Sequence, residues 1–222
     1  MQEGKRDKTG SAGLAPIALL EPKLEGCGSL AEAFRLRRTV REFSDEPLPP
    51  QTLSDLLWAA CGINRRNGPF GVAGRTAASA SNSQEVDVFV AMDEGTYLYD
   101  PTLHRLVPVA SGDQRRLALG DRQGAGGSNA PVRLIYVADV GKLEHTAGFE
   151  EPGLHDPDAQ KSYYYVDTGL IAGNVYLFAA SRGLAAWFHN CDRPALSATL
   201  GLSDGQRPLF AQTVGYAKRT QP

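Results

Sequence analysis

Three arginines and a threonine fall within five positions, in the run Arg37-Arg38-Thr39-Val40-Arg41. Guanidinium groups grip a phosphate or carboxylate through paired, charge-assisted hydrogen bonds, and a threonine hydroxyl adds a neutral donor. The run therefore suits an anion-binding site. It equally suits a solvated basic helix end, which the helix dipole favours by itself. The formal net charge of the 222-residue chain is -2, so no general basic field draws it to nucleic acid or to an anionic membrane. The cationic chemistry is local.

Other reactive side chains are sparse. His104, His145, His155 and His189 show no metal-ligand spacing, and a metal site is not expected. Cys27, Cys61 and Cys191 are odd in number and far apart, which predicts free thiols in a reducing compartment. No apolar run approaches the roughly 20 residues of a membrane span. The polar start predicts a cytoplasmic protein, or a periplasmic one from which a signal peptide has been removed.

The elements that must position these groups are legible in outline. Residues 1–28 read as a flexible arm with one apolar patch at 17–20, followed by a single domain over 29–222. Ser29-Leu30-Ala31-Glu32 is a capping box, so a helix starts there, with Leu30, Ala33 and Phe34 as its apolar face, and it ends at the arginines. After Pro49-Pro50, Leu53, Leu56, Leu57 and Ala60 recur at helical spacing, and Gly62 closes the helix. Residues 64–84 are small and polar and read as one long loop, of the kind that carries function. Alternation at Val86, Val88 and Val90 predicts a strand, followed by turns into 97–99 and 106–107. Ser111 caps a short helix to 119, and 132–138 reads as a strand buried on both faces. The acidic stretch 144–160, broken by Pro152 and Pro157, reads as a surface excursion that could serve as a lid. A long helix over 163–182, carrying Val166, Leu170, Ile171, Val175 and Phe178, reads as the buried centre and stops at Gly183. A strand over 184–188, a helix capped by Asp192 and a last strand over 209–216 complete an α+β domain.

Taken in order, four blocks resemble the FMN-dependent nitroreductase superfamily. They are the arginine run, Leu56-Leu57-Trp58-Ala59-Ala60-Cys61-Gly62-Ile63-Asn64-Arg65, Ser79-Ala80-Ser81-Asn82-Ser83-Gln84-Glu85, and Gly215-Tyr216-Ala217-Lys218-Arg219. Tyr97-Leu98-Tyr99-Asp100-Pro101 and Tyr165-Val166-Asp167-Thr168-Gly169 resemble the branch that includes the azoline-forming peptide oxidases. The resemblance implies a mixed, mainly antiparallel sheet flanked by helices, in an intertwined homodimer that holds FMN in two clefts between its subunits.

The same resemblance implies residue roles. Arg37 would meet the FMN phosphate, Thr39 the ribityl chain or phosphate, and Arg41 the flavin N1/O2 edge, where a cation stabilises the charge gained on reduction. Arg38 would touch either end or stay in solvent. Ser79, Ala80, Ser81, Asn82, Ser83 and Gln84 align with a loop that reaches the flavin from the partner subunit; on spacing alone they are an ordinary Ser/Asn turn. Gln123 resembles a position that bonds the pyrimidine edge. Trp187, Phe188, His189 and Asn190 align with a loop whose backbone N–H faces flavin N5. His189 is either a proton source or a packed, hydrogen-bonded imidazole. Lys218 and Arg219 would close over the phosphate.

The implied activity is hydride transfer from NAD(P)H through FMN to a nitroaromatic, quinone or related small electrophile. Two other readings stand beside it. One is an azoline oxidase acting on modified peptides, although the lysine-tyrosine pair of that branch is interrupted here as Lys161-Ser162-Tyr163. The other is a flavin-holding protein without turnover, its acceptor site obstructed by Trp187 and Phe188.

Overall fold

The computed structural model describes residues 13–120, 130–149 and 153–219. Helix α1 (Leu30–Leu36) starts as the capping box requires: the Ser29 side chain accepts from the Glu32 N–H at 3.2 Å. It ends at Arg37, whose ψ of 118° leaves the helical region. Helix α2 (Pro50–Cys61) begins on proline and closes at Gly62, whose N–H reaches the Trp58 carbonyl. A Cβ at Gly62 would stand 2.5 Å from the Trp58 ring, so only glycine fits there.

Seven strands form one sheet in the order β1-β6-β5-β4-β7-β9-β8, every neighbouring pair antiparallel. They are β1 (Ile17–Ala18), β4 (Val86–Ala91), β5 (Gly95–Asp100), β6 (Arg105–Ser111), β7 (Val132–Asp139), β8 (Ala185–His189) and β9 (Gln206–Gly215). A small hairpin, β2 (Ile63–Arg65) with β3 (Gly74–Arg75), lies apart from it. Alternation sorts the two faces. Val86, Val88, Val90, Leu134 and Tyr136 pack with α2 and the long helix α5 (Pro157–Ser181). Phe89, Ala91, Ile135 and Val137 pack with the short helices α3 (Arg115–Leu119) and α6 (Arg193–Thr199). Strand β7, covered on both sides, is buried from Val132 to Ala138.

Buried polar groups fix α5 against the sheet. Tyr136 Oη donates to Gln212 Oε1 at 2.6 Å, and Gln212 Nε2 donates to the Ala172 carbonyl at 3.3 Å. A polar group buried this deeply is stabilising only when fully partnered, so the network specifies one seating of the helix.

Several expectations are corrected. Part of the supposed flexible arm is fastened: β1 pairs with β6, and the Lys23 N–H donates to Asp55 Oδ1 at 2.7 Å. The stretch 64–84 contains β3, the end of β2 and two short 3₁₀ turns (Pro69–Gly71 and Ala80–Asn82). The cap of α3 is Gln114 rather than Ser111. A short helix α4 (Val140–Glu144) precedes the acidic stretch, and Pro157 opens α5 instead of breaking the chain, since proline at the first helical position removes no bonded N–H. Ile171, Val175 and Phe178 are buried as expected, but Val166 is 60% and Leu170 44% exposed, and Leu30 and Phe34 of α1 are each 62% exposed. Periodicity shows that a helix has apolar faces; it does not say what covers them.

Candidate functional site: an exposed cation cluster and a strained loop

Strand β8 is the last of the sheet, and its outer edge needs partners. The chain leaving α1 supplies them. Thr39 bridges Ala186, and the Val40 N–H donates to the Ala186 carbonyl at 3.1 Å. Phe43 bridges Ala217, the Ser44 N–H reaches the Tyr216 carbonyl at 3.0 Å, and the Lys218 N–H reaches the Glu42 carbonyl at 3.0 Å. The arginine run, β8 and the C-terminal tail with exposed Lys218 and Arg219 therefore meet in one corner.

Tyr176 of α5 joins the pieces. Its hydroxyl accepts from the Phe188 N–H at 2.8 Å and lies 3.1 Å from Thr39 Oγ1. Arg37 Cζ stands 5.4 Å from the Tyr176 ring centre, and Arg41 Cζ stands 5.6 Å from that of Trp187. Stacking on a ring holds a guanidinium while leaving its edge N–H groups free. Arg37, Arg38 and Arg41 are exposed, and among the described residues no carboxylate pairs with them. A cavity of about 180 Å³ opens beside them, lined by Arg38, Val40, Tyr176, Ala186 and Ala217 among others. This is a preorganised, uncompensated cationic corner suited to an anion.

Along β8 the side chains alternate. Trp187 is buried in a cluster with Phe43 and Leu119. Phe188 points to the α5 face, against Tyr136 and Phe210. His189 is buried, with Nδ1 2.8 Å from the Asn190 carbonyl and Nε2 2.8 Å from Thr213 Oγ1. A carbonyl can only accept, so Nδ1 carries the proton and Nε2 accepts from the threonine. Burial, with Arg133 nearby, pushes the His189 pKa down to about 4. The ring is a packed, neutral imidazole with no free N–H to give. Asn190 is exposed at the end of the strand. Gln123 lies outside the described residues.

The loop 79–84 is elsewhere, at the Asp167 end of α5. Ser81, Asn82 and Gln84 hold φ of 49°, 55° and 52°, and Phe70 in the facing loop holds 58°. Left-handed conformations of non-glycine residues cost of order 1–3 kcal/mol each and persist only where contacts over-determine them. Here the loop's own side chains do so. Asn82 Nδ2 donates to the Val72 carbonyl at 3.1 Å, and Gln84 Nε2 to the Ala73 carbonyl at 2.6 Å. Ser81 Oγ donates to the Gly148 carbonyl at 3.1 Å, Ser79 Oγ accepts the Gln84 N–H at 3.0 Å, and Asp167 Oδ2 accepts the Ala80 N–H at 2.9 Å. Within one chain the cation corner and this loop are not brought together. Lys161 and Tyr163 are exposed at the start of α5, two positions apart, and so do not share a helix face.

With this geometry in place, comparison is decisive: residues 35–216 match the Nitroreductase family. The chain belongs to the nitroreductase family. A Methanocaldococcus jannaschii protein named for the nitroreductases is 30% identical over 162 residues, covering 70% of this chain and 75% of that protein. A nitroreductase-family crystal structure from Ralstonia eutropha JMP134 is 33% identical, with a TM-score of 0.77 over 92% of this chain and 90% of that one. A chain of the Escherichia coli microcin synthetase complex McbBCD, solved with truncated pro-MccB17, shares the fold at 18% identity (TM-score 0.65; 91% and 78% covered). Nitroreductases generally use flavin cofactors and are usually dimers, and membership supports an oxidoreductase function. No helix among the described residues is long and apolar enough to cross a membrane.

The residues that sequence reasoning missed are Tyr176 and Asp167. Each lies on a flank of α5 beside its buried face, and that place on the helix was the available signal. Tyr176→Phe should lower stability by about 1 kcal/mol, the net value of one hydrogen bond, and speed hydrogen exchange at the Phe188 amide; unchanged exchange would contradict the hub. His189→Gln should remove part of the acid sensitivity. A histidine pKa depressed to about 4 makes its stability contribution complete above about 6.5 and lost as pH falls toward 4. Urea unfolding of both proteins between those limits checks this, and parallel curves would contradict it.

Proposed function

We propose that two copies of this chain clasp FMN in two clefts at their interface, and that the dimer passes hydride from NAD(P)H to a nitroaromatic, quinone or related small electrophile. The observation that carries this reading is the separation of the two half-sites. Asp167 and Tyr176 lie nine residues apart on α5, about 13 Å and two and a half turns, and so flank the helix on opposite sides. Between the flanks runs an uncovered stripe of Val166, Leu170 and the small residues Gly169 and Gly173, where an added Cβ meets nothing. Packing of two such stripes across a two-fold axis would carry the loop of one subunit toward the arginines of the other.

The donor set fits the cofactor. Three unpaired guanidiniums, a threonine hydroxyl and a basic tail suit a phosphate monoester on a polar chain. In this reading Arg37 and Thr39 hold the phosphate and ribityl end, Lys218 and Arg219 close over it, and Arg38 takes either end. Arg41, held on Trp187, faces the pyrimidine edge and opposes the negative charge that arrives there. Backbone around 188–190 and the partner's 79–84 loop orient the ring. Bound FMN would supply the hydride chemistry at N5. No side chain acts as a nucleophile: burial pushes the Cys61 and Cys191 thiols up to about 11, so neither is a thiolate at neutral pH.

The purified protein should carry a yellow chromophore that NADPH or NADH bleaches and a nitroarene or quinone restores. Bound FMN that never bleaches would reject turnover, and oxidation of a heterocyclised peptide without nicotinamide would move the assignment to azoline oxidation. Arg37→Ala should weaken FMN retention by about 1.5–3 kcal/mol, the size of a charge-assisted hydrogen bond. Unchanged affinity in a fluorescence titration would reject the phosphate role.

A further inference from the structure

Beneath the 79–84 loop two carboxyl side chains are buried side by side. Glu85, at the foot of β4, has no solvent exposure and Asp167 of α5 is 4% exposed. Ser83 Oγ donates to Glu85 Oε2 at 2.7 Å. Glu85 Oε1 is also buried and has no donor among the described residues. Next to it is the Asp167 carboxyl, which lines the same small cavity. Two carboxylates have nothing to donate to one another, so this contact is favourable only with a proton between them.

We infer that Glu85 and Asp167 share a single proton and together act as a positioning pair that seats the 79–84 loop. Neutral Glu85 donates to ionised Asp167, whose Oδ2 in turn accepts the Ala80 N–H and so anchors the strained turn. The shifts agree. Burial chiefly, and the Asp167 charge, raise Glu85 to about 7; burial raises Asp167 as well, and the Ala80 N–H and the bond from Glu85 only partly offset it. The other groups facing the pair do not replace the proton. Cys61 of α2 is a neutral thiol lining the same small cavity, and Lys142 of α4 is committed to Asp87 at 2.6 Å. Arg75 of β3 also lines that cavity, but among the described residues it forms no ion pair with either carboxyl.

Loss of the proton leaves two buried anions in contact at the root of the loop. The folded-state pKa of Glu85 is raised, so its contribution to stability is complete below about 4.5 and lost as pH rises through about 7. The loop is therefore seated in mild acid and loosened in mild alkali. The consequence for cofactor binding rests on the proposed function; the carboxyl pair does not.

Amide hydrogen exchange on the full chain, corrected for intrinsic rates, tests the pair without any ligand. Protection of the Ala80 amide should fall about tenfold or more between pH of about 6 and about 8.5. Glu85→Gln donates an N–H to Asp167 at every pH and should abolish the fall. Ser83→Ala removes a bond that favours the Glu85 anion and should move the fall to higher pH. A native chain with pH-independent protection, or a Glu85→Gln chain with the native profile, would overturn the pair. With FMN added, an affinity that follows the same profile supports the seating role, and an affinity flat across it overturns that role. A chain that binds no FMN rejects the proposed function instead, leaving the exchange profile to decide on the pair.

Discussion

Helix α5 acts as a rigid spacer, and the rest of the molecule is arranged around that constraint. Its 25 residues are fastened to the sheet by an apolar face through Ile171, Val175 and Phe178 and by the Gln212 bond to the Ala172 carbonyl. A helix so held cannot bend to bring its two ends together. Asp167 anchors the strained loop on one flank, and Tyr176 anchors the cation corner on the other. The surface between them is apolar and uncovered at Val166 and Leu170. An uncovered apolar stripe of this kind is the surface on which the proposed dimer packs.

The cation corner illustrates how a fold can hold like charges together. Arg37 and Arg41 each sit over an aromatic ring, and the backbone of 39–43 is pinned between β8 and the C-terminal tail. The repulsion is borne by structure formed elsewhere, since the sheet edge needs these backbone partners whether or not an anion is present. Trp187 and His189 of β8 are turned inward, and burial holds the His189 imidazole neutral. What remains exposed is charge, hydroxyl and backbone, the donors on which the proposed cofactor grip rests.

Much of this was readable in the chain, for identifiable reasons. Capping of α1 by Ser29, the glycine stop of α2 and the alternation of β4 are local, and local chemistry decided them. The arginine run stood out as a dense cluster of like charge, but spacing alone left an anion site and a solvated helix end equally open. Tertiary partners were not readable. Val166 and Leu170 have the same hydrophobicity as Ile171 and Val175, and only packing separates the exposed pair from the buried one. The inward turn of His189 depends on its register opposite Ala211 in β9. Glu85 and Asp167 are 82 positions apart in a chain where each alone looks like an ordinary surface acid.

Subunit complementation tests the shared cleft most directly. Arg37→Ala removes the phosphate grip, and Asn82→Ala releases the loop from the Val72 carbonyl, so each homodimer should lose FMN on its own. Mixed and allowed to exchange subunits, the two variants should recover FMN binding, because one cleft of each heterodimer then has an intact arginine run from one chain and an intact loop from the other. No recovery on mixing, with exchange verified by a mass difference between the chains, would contradict a site built from two subunits.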